Sequence, residues 1–450
     1  MNNNLLVGQI IKLDIRSMGI NGEGIGYYNK LAVFVPGAIE KEEVFVKITE
    51  VNEKYAKGEI DSFIRESKRR VEPICKFFNE CGACTMQHIS YKEQLKIKRE
   101  ILINSLKRYT KLDINSIDIK FTKESEELNY RNKSQMPFKD TNFGLALGLY
   151  APNSNSFIYV DNCVIQKSLV NAINKSVLSI LNRHNCHTPK VDNGELKYLV
   201  VRALDLGEAQ VTFVLDHFDE KYRTIADEII NEIEEVVSVA YTITSKYDVG
   251  VFGDKVEILS GKNYIKDEML GLDVRLSPKS FYQLNKKQSE CMYSEILDSC
   301  IKESDIVFDG YSGIGILGLL AARKAKHVYS VDLSQDSIKN ARIIERANEI
   351  SNITFYSDRI ENRFPSLLKD GIKPDVIIVD PPRSGLDYKV IKAILESNAE
   401  RLVYISCNSS TLAKNLNDLL SKYEIEYIRP YDFFTETALV ETLAVLRLKK

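Results

Sequence analysis

The chain has no long apolar run, no excess of basic residues and no tryptophan. No segment reaches the roughly 18 consecutive apolar residues that a membrane-spanning helix needs, so we expect no membrane partner. The 61 lysine and arginine residues are balanced by 63 aspartate and glutamate residues, for a net charge of −2. This balance excludes a histone-like or wholly basic RNA-binding protein, and any nucleic-acid surface must be a local patch.

The N-terminal segment MNNNLLVGQIIKLDI lacks the basic region and the apolar core of a signal peptide, so we expect a cytoplasmic protein. In the cytosol the eight cysteines do not predict a disulfide framework, and metal binding or catalysis explains them better. Hydrophobic residues make up 44% and charged residues 28% of the 450 residues, which is ordinary for a globular chain. At roughly 150 residues per domain, this length suggests about three domains.

Residues 1–60 and 61–268 differ in pattern and are expected to form two domains. In the first, short strands separated by glycine turns predict a small five-stranded β-barrel of OB type. Such barrels bind oligonucleotides or serve only as scaffolds, and the pattern does not separate these alternatives. Residues 61–268 mix strands and helices without a parallel-sheet rhythm, which predicts a central α+β domain. A lysine-rich helix is predicted over 91–109, with its basic side chains, Lys98 among them, interpreted as a largely solvated face.

Residues 269–450 have a regular rhythm. Five short apolar strands, SDIVFD, HVYSVDL, ITFYSD, DVIIVD and RLVYISC, alternate with helical segments. This alternation predicts an α/β domain with a doubly wound, Rossmann-like parallel sheet. Two more strands, EIEYIRPYDFF and ALVETLAVLRL, follow without a helix between them and predict a closing antiparallel hairpin. The layout is that of S-adenosylmethionine-dependent methyltransferases and not of dinucleotide dehydrogenases.

The first and second of these strands end in a nucleotide-binding pattern. The first runs into DGYSGIG, residues 309–315, whose glycines let the backbone turn tightly and approach a ligand. The second ends at Asp332, placed to hydrogen-bond ribose hydroxyls. Together they predict an S-adenosylmethionine pocket. Asp358, after the third strand, either reaches the adenine side or caps the following helix.

The fourth and fifth strands carry the candidate chemistry. The fourth ends in Asp380-Pro381-Pro382-Arg383, where two prolines stiffen the turn and fix the acid at the pocket mouth. The fifth ends at Cys407, and the usual strand order places Asp380 and Cys407 at the same edge of the sheet. A cysteine there is interpreted as a nucleophile. Arg383 stands where aromatic residues occur in amino-group methyltransferases, which argues against that chemistry.

A second group of cysteines lies outside this domain. Cys75, Cys81 and Cys84 are closely spaced, and Cys163 follows far downstream. Thiolates at such spacing can share one metal centre that the distant cysteine closes. Zinc and a 4Fe–4S cluster both fit the pattern, whereas the spacing disfavours radical-S-adenosylmethionine chemistry.

Taken together, these motifs resemble the RNA uracil-C5 methyltransferases, which form 5-methyluridine in rRNA and tRNA. The resemblance implies that residues 1–60 are a TRAM domain, an RNA-binding module, and that the four cysteines hold a 4Fe–4S cluster. It implies an rRNA substrate, with 23S rRNA favoured, because the cluster is typical of the rRNA branch. We expect a monomer, and we expect no DNA partner. The resemblance implies S-adenosylmethionine contacts at the following positions: Gln283, Tyr311, Gly313, Asp332, Asp358 and Asp380.

The resemblance also implies catalytic roles: Cys407 as the nucleophile, Glu441 as the general base and Asp380 at the uracil edge. Two departures affect these loops. Ser409 replaces a proline after the nucleophile, and the segment FTETALVE, residues 434–441, lacks a proline and a histidine but keeps Glu441. Glu436 is the rival acid in that segment. The alternatives are an RNA N-methyltransferase, which would not need Cys407, and a non-catalytic RNA-binding ribosome assembly factor.

Overall fold

A computed structural model of the chain describes residues 5–152, 154–191, 194–245 and 250–450. The N-terminal strands alternate between buried and exposed side chains, as the period of two requires for a sheet with one face on a core. They form one sheet of order β1-β5-β6-β4-β3-β2, which closes on itself because its two edge strands, β1 and β2, follow each other directly in the chain. The strands are β1 Ile10–Asp14, β2 Ser17–Met18, β3 Gly24–Tyr28, β4 Leu31–Val35, β5 Glu43–Val51 and β6 Tyr55–Arg65.

The barrel-like sheet agrees with the expected fold, with two differences of detail. It has a sixth strand, the two-residue β2, and β6 continues through the expected domain boundary at residue 60 as far as Arg65. The extension has a physical cause, since β5 is nine residues long and pairs with β6 along its whole length.

The central domain is a seven-stranded sheet of order β13-β12-β11-β10-β7-β8-β9, with α3 and α4 packed against it. The strands β11 and β12 are parallel and are joined through the amphipathic helix α4, whereas the sequence showed no parallel-sheet rhythm in this domain. The elements, with the short helix that precedes them, are α1 Phe78–Cys81, β7 Lys133–Thr141, β8 Gly144–Tyr150, β9 Phe157–Tyr159, α3 Ser168–Arg183, β10 Leu196–Ala203, β11 Ala209–Leu215, α4 Lys221–Glu232, β12 Val236–Ile243 and β13 Glu257–Gly261.

The lysine-rich helix α2, Tyr91–Tyr109, has the predicted bounds but packs against the C-terminal domain. Its Leu102 and Leu106 lie in the same buried cluster as Val379. The interpretation of its lysines as a solvated face is wrong for Lys98, which is fully buried. Lys98 Nζ pairs with the equally buried Asp432 and donates to the carbonyl of Phe434 at 2.8 Å. The helix therefore ties the central segment to the end of the chain.

The C-terminal domain confirms the predicted α/β class. Its sheet has the order β18-β17-β16-β19-β20-β22-β21, with the first five strands parallel and the last two antiparallel. Its strands are β16 Ile306–Gly310, β17 His327–Asp332, β18 Ile353–Ser357, β19 Val376–Val379, β20 Arg401–Ser406, β21 Tyr423–Tyr431 and β22 Glu441–Leu448. Its helices are α5 Lys286–Cys300, α6 Ile316–Ala322, α7 Gln335–Ala347, α8 Ile360–Lys369, α9 Tyr388–Ser397 and α10 Ser409–Leu419.

A hairpin that the sequence pattern did not reveal precedes this sheet. It consists of β14 Ile265–Met269 and β15 Leu272–Leu276, so it straddles the expected boundary at 268/269. Its buried side chains belong to the same core cluster as α5 and α6. Among the described residues, no helix combines the length and apolar character that crossing a membrane requires.

Candidate active site

A cleft of about 590 Å³, counting the part open to solvent, lies at the carboxyl ends of β16 and β19. Gln283, Tyr311, Gly313 and Asp380, all predicted cofactor contacts, line it. Open α/β sheets bind ligands at this edge because the connections that follow neighbouring strands leave to opposite faces of the sheet there and open a crevice.

The turn after β16 depends on backbone conformations that favour glycine. Gly313 and Gly315 have φ angles of 55° and 75°. A Cβ on Gly315 would lie 2.8 Å from the ring of Phe355, whereas one on Gly313 would meet no atom within 4 Å. The Gly313 amide donates to Asp332 Oδ2 at 2.9 Å, and Ser334 N donates to Oδ1 at 2.8 Å. Asp332 thus fixes the turn that lines the cleft.

Asp358 has a partner inside the protein. The Arg363 guanidinium donates to Asp358 Oδ2 at 3.1 Å, and the Arg359 amide donates to Oδ1 at 2.7 Å. The alternative helix-cap role is wrong, since α8 has no side-chain cap. Asp358 is not part of the cleft wall described above, so its contact with adenine stays a prediction.

Asp309 and Tyr293 are among the cleft residues that received no role from the sequence. Asp309 is buried, accepts a hydrogen bond from Ser330 Oγ at 2.9 Å, and has a pKa raised by burial to about 7. Tyr293 lies on α5, and its pKa is raised by burial and then by the charge of Asp380. Asp309 stood within the recognised DGYSGIG motif, but Tyr293 has no motif around it and only the packing of α5 brings it to the cleft.

Cys407 follows β20 and is connected to the Asp380 turn through Asn408. Asn408 Oδ1 accepts from Ser410 N at 3.0 Å and so caps α10, while Nδ2 donates to the carbonyl of Arg383 at 3.1 Å. The pairing of Ser406 with Thr442 in β20 and β22 places Cys407 beside Glu441 when the register is continued. The short loop at Cys407 and Asn408 therefore positions Cys407 relative to both Asp380 and Glu441.

Glu441 and Asp380 lie close enough to Cys407 to change its ionisation, and Asp380 lies close enough to Glu441 to change the ionisation of Glu441. Burial, then the charges of Glu441 and Asp380, raises the pKa of Cys407 to about 11. Burial and the charge of Asp309 raise the pKa of Asp380 to about 7. Burial and Asp380 raise the pKa of Glu441 well above its ordinary value, and Arg383 acts in the opposite direction on both Cys407 and Glu441. Burial thus raises the pKa of all three groups, as at many sites where side chains transfer protons.

Glu436, the rival acid, lies elsewhere. It is buried against α2, where Gln94 Nε2 donates to its Oε2 at 2.9 Å and Gln94 Oε1 accepts from its amide at 3.2 Å. Its carbonyl accepts from the amides of Thr85 and Met86 at 2.9 and 3.0 Å. Glu436 is therefore engaged in holding the loop that leads to Glu441.

Comparison with known proteins agrees with this geometry. A model of the tRNA (uracil-5-)-methyltransferase family matches residues 90–449, and a TRAM domain model matches residues 4–60. The chain belongs to the tRNA (uracil-5-)-methyltransferase family. It is accordingly an enzyme that uses S-adenosylmethionine as methyl donor and acts on RNA.

Relatives cover the whole length of the chain. Proteins described as uncharacterized RNA methyltransferases in Listeria monocytogenes and Enterococcus faecalis are 36% and 35% identical to it, over 98% of this chain and 98% of each relative. The structure of the Pyrococcus abyssi tRNA (uracil-54, C5)-methyltransferase with S-adenosyl-L-homocysteine matches with a TM-score of 0.76 and 22% identity. That match covers 97% of this chain and 100% of the archaeal one, which confirms the fold.

The four cysteines singled out in the sequence lie within electrostatic reach of one another in this member of the tRNA (uracil-5-)-methyltransferase family. The thiol pKa of Cys84 is raised to about 12 by burial and then by Cys163, and the pKa values of Cys81 and Cys163 are raised by burial and also by Cys75. None is in a disulfide. In the described part of the chain, no three cysteine, histidine or acidic side chains converge closely enough to hold a single metal ion.

The two departures from the family pattern have structural replacements. Ser409 is the first residue of α10, a position that favours proline because the amide there needs no helical partner. With serine at this position, Asn408 caps α10. The loop over 434–440 lacks the family's proline and histidine, and bonds to Thr85, Gln94 and Lys98 hold it instead.

Proposed function

We propose that this enzyme forms 5-methyluridine in 23S rRNA through a covalent bond between Cys407 Sγ and C6 of the target uracil. The observation that carries the proposal is the position of Glu441 and Asp380, close enough to Cys407 to raise the pKa of its thiol, with Asp380 in the wall of the cofactor cleft. S-adenosylmethionine supplies the methyl group.

The chemistry requires this set of groups. Uracil C5 is a poor carbon nucleophile, and addition of the Cys407 thiolate at C6 converts the ring to an enolate that can be alkylated at C5. The methylated C5 then carries a proton that Glu441 removes, and elimination breaks the C6–S bond and returns the electron pair to Cys407. Asp380 would hydrogen-bond the uracil edge. The target base must leave its RNA stack to reach these groups.

The raised pKa of Cys407 sets a condition on this mechanism. With a pKa of about 11, only about one molecule in 10⁴ carries the thiolate at pH 7. The exposed Arg383 is the group that favours the thiolate, and it also favours ionised Glu441. Activation of the nucleophile must therefore overcome the effect of burial first and the charges of Glu441 and Asp380 second.

We also propose that Cys75, Cys81, Cys84 and Cys163 hold a 4Fe–4S cluster, in which each thiolate binds a different iron and the four need not converge on one ion. The four thiols support this proposal. They are free of disulfides, and each lies close enough to another of the four to take part in raising a thiol pKa. Gln87 Nε2 is buried nearby without an acceptor at full hydrogen-bond geometry among the described residues, and the Gln87 side chain is close enough to Cys84 to lower the pKa of that thiol. The cluster would stabilise the central domain.

The choice of 23S rRNA rests on the four-cysteine pattern, and the test is direct. We expect 5-methyluridine to disappear from the 23S rRNA of a strain lacking the gene, and to return with the wild-type gene or with Cys291→Ala, which changes an exposed cysteine. Cys407→Ala should not restore it. RNA with 5-fluorouridine at the mapped site should form a covalent complex with the wild type. Loss of 5-methyluridine from tRNA instead, or of an N-methylated base, would overturn the proposal.

A further inference from the structure

A second pocket opens beside Cys407. Its volume is about 500 Å³, counting open solvent, and Cys407 lies in its wall. Ile20 and Asn21, from the N-terminal TRAM domain, also line it, and Arg383 and Leu439 are among its other lining residues. The TRAM domain thus reaches the site of the chemistry directly.

The TRAM loop is held in place there. Gly22 has a φ of 90°, and a Cβ at this position would come within 2.9 Å of Thr85 Oγ1 and 3.2 Å of the Ala438 side chain. The Gly19 amide donates to the carbonyl of Glu23 at 2.7 Å and closes the loop. The wall that carries Ile20 and Asn21 is therefore a packed surface, fixed against the segment that leads to Glu441.

The orientation of the Asn21 amide follows from its partner. Its Nδ2 donates to Glu23 Oε1 at 3.2 Å and its backbone amide donates to Oε2 at 3.0 Å. Because a carboxylate only accepts, the amide cannot be flipped, and Oδ1 is the atom left without a partner among the described residues. Asn21 is exposed and offers the pocket a hydrogen-bond acceptor.

The remaining walls combine apolar surface with a positive charge. Ile20 and Leu439 are 44% and 37% exposed. Arg383 forms no ion pair within the part of the chain that the structure describes, although it stands at the pocket next to Cys407. An apolar surface, an acceptor and a free guanidinium match the base, the exocyclic amine and the phosphate of a nucleotide.

We infer that this pocket binds the nucleotide next to the target uridine and selects a base with an exocyclic amine through Asn21. The inference rests on the proposed function, because the target uracil is assigned to Asp380 and Glu441. Cys407 lies in the wall of this pocket but neither acid does, so the target uracil meets the pocket only at Cys407, and Ile20 and Asn21 face the neighbour of the target along the RNA. Ile20 supplies the apolar contact and Asn21 the discrimination.

The test uses the full-length enzyme and short RNA hairpins carrying the mapped uridine, with each of the four nucleotides at either flanking position. We expect kcat/KM of the wild type to be about three- to tenfold higher with adenine, cytosine or guanine than with uracil at one flank, as one hydrogen bond provides. Asn21→Ala should remove this preference. Asn52→Ala is the matched control, because Asn52 is an exposed TRAM asparagine whose amide also donates to a glutamate, Glu50.

The outcomes separate the two proposals. Adduct formation with 5-fluorouridine RNA should persist in Asn21→Ala, which would show that Cys407 still reacts. If the dependence of kcat/KM on the flanking base survives in Asn21→Ala, or if Asn52→Ala removes it as fully as Asn21→Ala does, the assignment of this pocket to the neighbouring nucleotide is refuted. Neither result would affect the proposed methylation of uridine. If the wild type methylates no uridine in any hairpin or in 23S rRNA, the proposed function fails and this inference fails with it.

Discussion

Replacing Glu441 with glutamine tests the site most directly, because it changes one charge beside the nucleophile and keeps the side-chain size. The pKa of Cys407 is about 11 against an ordinary 9.0, with burial as the first cause and the charge of Glu441 as the second. Glu441→Gln removes that negative charge, so the pKa of Cys407 should fall to a value between 9 and 11. Each pH unit of that fall raises the thiolate fraction at neutral pH about tenfold.

The assay is the rate of alkylation by iodoacetamide as a function of pH, followed on the peptide that contains Cys407. Cys291 is exposed and provides an internal reference in the same molecule. Glu436→Gln is the matched control, since it neutralises another buried acid of the same loop that is bonded to Gln94. The titration midpoint of Cys407 should move down in Glu441→Gln and stay in place in Glu436→Gln.

The same variant has a kinetic consequence. Addition of Cys407 and transfer of the methyl group do not need the base, but elimination does, so Glu441→Gln should leave methylated RNA attached to the protein on a denaturing gel. Turnover should fall by about 10²–10⁴, the usual contribution of a general base. An unchanged or raised midpoint for Cys407, or a trapped complex in Glu436→Gln and not in Glu441→Gln, would refute the assignment of the base.

Three further outcomes are expected. The alkylation midpoint of Cys407 should be lower with S-adenosylmethionine than with S-adenosylhomocysteine, because only the former brings a positive sulfonium; equal midpoints would contradict a shared site. Anaerobically purified protein should contain iron and absorb visible light, and Cys81→Ser should lose both and unfold more easily in urea; zinc without iron would contradict the cluster. Lys98→Met should lower the free energy of unfolding by about 3–5 kcal/mol by leaving Asp432 buried without a counter-charge, and Asp432→Asn in the same chain should recover part of the loss in urea titrations.

Local patterns were enough to predict the methyltransferase sheet. Each of its parallel strands is a short apolar run that ends in a polar or glycine-rich turn, and the known order of such strands brings Asp380 and Cys407 to one edge. The hairpin β14–β15 was missed because its alternation is brief and its packing partners lie far along the chain.

Contacts between distant segments could not be read from the sequence. Lys98 has the spacing of a surface lysine and is buried only because Asp432, more than three hundred residues later, lies opposite it. Tyr293 reaches the cleft only through the packing of α5. The second pocket likewise depends on the docking of the loop around Gly22 onto Thr85, which no periodicity indicates.

Thr85 explains why parts so distant in sequence act on one site. Its amide donates to the carbonyl of Glu436 at 2.9 Å, its Oγ1 accepts from Ala438 N at 3.2 Å, and Gly22 of the TRAM loop packs against it. Because Thr85 directly follows Cys84, the cysteine segment, the TRAM loop and the loop that ends at Glu441 share one junction. Loss of order in the cysteine segment should therefore displace the base and the wall of the second pocket together, even though no cysteine of that segment lines either cavity beside Cys407.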